Sequence, residues 1–125
     1  MENTRLEQLE AEYVADMKTI ATILEELSTQ HKALETHYDE LFDWHASTSK
    51  NLQSLRDLMI QEQCIEDAKS VDMTVDVVNL DYIQTKRLIE AELDEIEAEQ
   101  KRVCNRKNDL EEDYKAEKDL LEAKK

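Results

Sequence analysis

Hydrophobic residues return at helical spacing along almost the whole chain. Leu6, Tyr13, Ile20, Leu27, Leu34, Leu41, Thr48 and Leu55 recur every seven residues, which keeps one stripe of a helix turned toward a neighbour. Leu9 and Ile23 supply one companion set. Met17, Leu24, Tyr38, Leu52 and Met59 supply a second, one residue later, so residues 4–68 predict a helix whose apolar face is wide enough to pack against more than one other. The run Thr4-Arg5-Leu6-Glu7 has the form of a capping box. Thr4 would accept from an orphan amide while Glu7 reaches back to the amide of Thr4, which places the helix start there.

Over residues 77–123 the pattern narrows. Ile89, Leu93, Ile96, Gln100, Val103, Lys107, Leu110, Tyr114 and Leu121 step by four and three along one line, and only Glu117 puts an acid on it. An ideal helix drifts about 20° per heptad against so strict a repeat, so the line stays in contact only through a left-handed supercoil. This half reads as a coiled-coil helix.

Between the halves the register slips. Leu55, Leu58, Glu62, Ile65 and Ala68 end in two successive three-residue steps before Val71, Val75, Val78 and Tyr82 resume, which is a stammer or a break. Ser70 and Thr74 are N-cap types, and Asp72 and Asp76 suit the first turn of a new helix. The expectation is a hinge near residues 66–76, with 69–76 as the linking segment. A hairpin bent there would bring Leu24 near Leu120 and leave the first turns of the N-terminal helix overhanging.

The same segment carries a strand signal. Val71, Met73, Val75 and Val77 alternate with Asp72, Thr74 and Asp76, and the alternation continues in opposite phase through Val78, Leu80 and Tyr82. A hairpin of strands would have to turn through Val77-Val78 without Gly or Asn-Gly, so helix is favoured. That helix has a consequence: Met73, Val77 and Leu80 fall off its main face. His45-Ala46-Ser47-Thr48-Ser49 is a second soft spot, where low-propensity residues gather.

Composition strengthens the helical reading. The 125 residues include no glycine and no proline, and 38% are charged. Sharp turns and helix ends usually draw on those two residue types, so long helices follow. With 5% aromatic residues and a mean hydropathy of -0.75, the chain has little bulk for a compact core. The fold class predicted is all-α, an elongated coiled coil of one or two long helices, about 190 Å if unbroken and about half that as a hairpin.

Charge and cysteine content limit the function. A net charge of -15 opposes binding to nucleic acid or anionic lipid, surfaces that reward clustered Lys and Arg. No apolar run approaches the roughly 18 residues of a membrane span, and the N-terminal residues lack the pattern of a secretion signal. Cys64 and Cys104 match no zinc or redox spacing and read as reduced thiols. An intracellular setting is therefore expected, in the cytoplasm, on the cytoskeleton or in the nucleus.

Metal, cofactor and catalytic motifs are missing. Ser28, Leu34 and Phe42 stand three residues before His31, His37 and His45, where a di-iron helix would need Glu. His31 and Glu35 read instead as a surface pair. Phosphate loops, EF-hands and nucleophile elbows all need glycine. The expectation is no enzyme, no cofactor and no small-molecule substrate.

Two features point to protein partners. Tyr38, Leu41, Phe42, Trp44 and His45 form the densest aromatic patch and cover roughly 160° of one helix. They either fill a local bundle core or dock another protein, and Trp44→Ala distinguishes the two by losing helicity or binding. Polar Gln100 and Lys107 on the narrow line can fix register and partner. Two Lys107 side chains facing each other in a parallel homodimer favour a hetero-oligomer with a less acidic helix, the homodimer being the other arrangement.

The function expected is thus a non-enzymatic coiled-coil scaffold subunit joining other helical chains. In its length and in the Val71–Tyr82 alternation the chain also resembles prefoldin. That resemblance implies a holdase chaperone subunit with two helices flanking strands.

Overall fold

The computed structural model describes residues 2–124, with side chains described from residue 4. It holds two helices, α1 (Glu2–Gln61) and α2 (Ile65–Ala123), and no strand among the described residues. Contacts divide the chain into two units. One takes residues up to His31 together with those from Glu95; the other is Lys32–Asp94.

In each unit a stretch of α1 pairs with a stretch of α2 running the opposite way. In the first, Tyr13 meets Tyr114 and His31 meets Glu97, so rising numbers on α1 face falling numbers on α2. In the second, Tyr38 meets Glu90, His45 meets Tyr82 and Arg56 meets Asp72. The less exposed residues follow the three-and-four spacing. On α1 they include Leu34, Tyr38, Leu41, His45, Thr48 and Leu52, and on α2 Val71, Val75, Val78, Tyr82, Ile89 and Leu93. Among the described residues only Ile20 and Val103 in the first unit and Ala68 and Val71 in the second are buried.

The break lies at Glu62–Cys64, ahead of the expected 66–76 hinge, and 69–76 is unbroken helix. Ser70 and Thr74 do not cap a helix. Their hydroxyls donate backward to the carbonyls of Glu66 and Ser70, which lets such residues sit inside a helix. Thr4 likewise falls inside α1, which starts at Glu2.

What ends α1 is a left-handed residue that is not glycine. Gln63 has φ 64°, Cys64 N–H donates to Met59 O at 2.8 Å, and Gln63 N–H donates to Ile60 O at 3.1 Å. These are the paired bonds of a Schellman motif, with Gln63 in the place glycine usually holds. Cys64 O then accepts from Ala68 N–H, and Glu66 and Asp67 lie in the first turn of α2, where the helix dipole favours acids. Moving the bend moves the register: Leu121 lines a groove with Leu9 and Arg5, in place of the Leu24–Leu120 pairing.

The Val71–Tyr82 segment is helical, against the strand alternative. Its alternation leaves Met73, Val77 and Leu80 exposed, as a continuous helix requires. His45–Ser49 is helical too, with Ser49 Oγ 3.5 Å from His45 Nε2.

Candidate functional site

The narrow line Ile89, Leu93, Ile96, Gln100, Val103, Lys107, Leu110, Tyr114 and Leu121 is buried or half-buried along its length. Its neighbour is α1 of the same chain. The Tyr13 and Tyr114 rings stack at 4.0 Å and 8°, and Ile20 and Ile23 share a groove with Arg106 and Leu110. Along this line the residues of α2 pack on α1. Glu117 is exposed, while half-buried Lys118 lies over the Tyr114 ring with its Nζ 5.8 Å from the centroid.

The aromatic patch divides. Tyr38, Leu41 and His45 turn toward α2, whereas Phe42 and Trp44 remain exposed, Trp44 at 48%. At 100° per residue Phe42 and Trp44 stand on either side of the paired line, which is why one helix can both fill a core and present aromatic surface.

Around Tyr38 and His45 the second unit builds a polar cluster. His45 Nε2 lies 2.8 Å from Asn79 Oδ1, which accepts from it, and the His45 ring stacks on Tyr82 at 4.0 Å and 15°. The Tyr38 hydroxyl donates to Glu90 at 3.4 Å. Lys86 Nζ lies 5.9 Å from the Tyr38 ring centroid and 6.0 Å from that of Tyr82, in cation–π range of both. The charge of Tyr38 first, then its hydrogen bond and the charge of Tyr82, hold the Lys86 ammonium above its ordinary pKa against desolvation, with the charge of Glu90 adding least. Nearer the bend, Arg56 Nε donates to Asp72 at 2.6 Å. No three His, Cys, Asp or Glu side chains among the described residues gather as metal ligands, and both cysteines are free thiols.

Sequence reasoning missed His31 and His45 as members of the paired line. Extending the companion set by sevens finds them, since Leu24, His31, Tyr38, His45 and Leu52 are evenly spaced. Met73, Val77 and Leu80, expected off the main face of α2, form with Leu88 a second apolar face. Met73, Val77, Leu80 and Leu88 are exposed at 70, 58, 56 and 67%. They occupy an arc of about 80° that lies roughly 150° around α2 from Val71, Val75, Val78 and Tyr82. Among the described residues thirteen large apolar side chains are more than a third exposed, eleven of them in the second unit.

No family model, characterised protein or solved structure matches the chain. Among the described residues no helix is long and apolar enough to cross a membrane.

Proposed function

We propose that this chain is a non-enzymatic coiled-coil subunit that acts as a scaffold in protein–protein assembly, within a larger hetero-oligomer inside the cell. The observation that carries the reading is the apolar surface left after α1 and α2 have paired. The chain exposes 9583 Å², whereas a compact monomer of 14.7 kDa exposes about 6,900 Å². Among the described residues four are buried while thirteen large apolar ones stand exposed, so a further helix has surface to cover. The alternating three and four steps of the paired line support coiled-coil packing, and the two free thiols support a reducing compartment.

The test is mass measurement. The purified chain is expected to sediment as a helical monomer, and the tagged chain in its native cells to migrate in a larger particle of fixed stoichiometry. A chain that migrates at its own mass in native extract ends the proposal.

A further inference from the structure

The exposed face of α2 formed by Met73, Val77, Leu80 and Leu88 is, we propose, the docking site for a basic amphipathic helix of another protein, one whose apolar stripe is bordered by Lys and Arg. The inference rests on the assembly reading above and names the surface and the chemistry of the partner.

Charge selects the occupant. From Asp57 to Leu88, the last residue of the face, the chain carries seven acids and three bases, Lys69, Lys86 and Arg87. Asp76 and Asp81 border the apolar line on opposite sides, while Lys69 and Arg87 stand at its two ends. The nearest other cation, Lys86, is turned inward onto Tyr38 and Tyr82. Arg56 is bound to Asp72. A second copy of this chain would set the same acid-rich face against itself, since a two-fold interface apposes one patch to its twin. A helix edged by Lys and Arg meets Asp76 and Asp81 with opposite charge.

Area agrees with a partner held by charge as well as apolar contact. Each such side chain offers about 60–120 Å² when fully exposed. At the observed exposures the four present roughly 225 Å² of apolar surface, and a polar rim in the usual proportion gives a total of about 800 Å² over both partners. That is the size of a weak, reversible contact and below what a stable homodimer needs. An interface of this kind binds through steering and exchange.

The experiment uses the full chain and two labelled synthetic helices of 25 residues. Both carry Leu at every a and d position; one has Lys at the bordering positions and the other Glu. In fluorescence anisotropy the Lys peptide is expected to bind at micromolar Kd, weakening at least fivefold as salt rises, and the Glu peptide at least thirtyfold more weakly. Met73→Ser with Leu80→Ser leaves charge unchanged and should weaken the Lys peptide at least tenfold. Asp76→Asn with Asp81→Asn should weaken it at least threefold. Val14→Ser with Leu120→Ser, altering comparably exposed apolar residues of the other unit, should change nothing. Far-UV circular dichroism checks that each variant remains helical. Equal binding of both peptides, failure of the Lys peptide to bind, or equal sensitivity to the Val14 and Leu120 changes overturns the assignment. So does a free-chain dimer that Met73→Ser with Leu80→Ser dissociates. A native particle that survives those results leaves the scaffold reading standing and removes only this surface.

Discussion

At the scale of single residues, the polar members of the paired line set the sharpest expectations. His45 and Asn79 satisfy each other in a part-buried place, so Asn79→Ala leaves the imidazole N–H without its acceptor and is expected to cost about 1–2 kcal/mol in urea unfolding. His45→Leu with Asn79→Leu removes both polar groups together and should be neutral or stabilising by the same measurement. Lys86 makes the alkaline side of the stability profile informative. Its folded pKa lies above the unfolded one, so its contribution is complete at pH below the ordinary lysine value and disappears as pH rises through the folded value. Lys86→Met should therefore flatten the loss of stability in alkaline melts. The placement of His45 was legible from the seven-residue spacing alone. Its bond to Asn79 was not, because that pairing depends on where the chain turns back.

The helices themselves followed from the absence of glycine and proline together with periodic apolar residues, and the point of reversal is where that reasoning met its limit. A turn was expected to need cap-type residues, which drew attention to Ser70 and Thr74. The molecule instead places Gln63 in the left-handed region, a conformation open to any residue at a cost of about 1–2 kcal/mol. Gln63→Gly is expected to raise stability by about 0.5–1 kcal/mol, and Gln63→Val to lower it by about 1 kcal/mol or more, in chemical denaturation. Along the helices, Ile20→Ala removes a buried side chain and should cost about 2–4 kcal/mol. Phe42→Ala alters an exposed one and should cost under about 1 kcal/mol. The outward set Met73, Val77 and Leu80 was visible in the sequence once residues 71–82 were taken as helix; Leu88 extends it.

For the whole molecule, charge and surface act together. A chain at -15 repels itself, and that repulsion opposes the folded state. Raising sodium chloride from about 10 to 300 mM, where the screening length falls below roughly 10 Å, is expected to raise the Tm measured by circular dichroism. The sequence indicated that helices would look for cover outside themselves. The narrow line of α2 meets α1 of the same polypeptide, because the chain reverses at Glu62–Cys64. Exposed apolar side chains then lie on the faces that the bend leaves uncovered.

The reversal at Glu62–Cys64 has one more outcome. None of its three residues resists helix, so little prevents the linker from straightening into a continuation of α1. Two molecules straightened at once can trade their second arms, each rebuilding the stack of His45 on Tyr82 with a ring from its counterpart. Concentrated samples held near the melting temperature should accumulate such interlocked pairs, visible by light scattering after cooling. Gln63→Gly, by easing the bend, should keep them single.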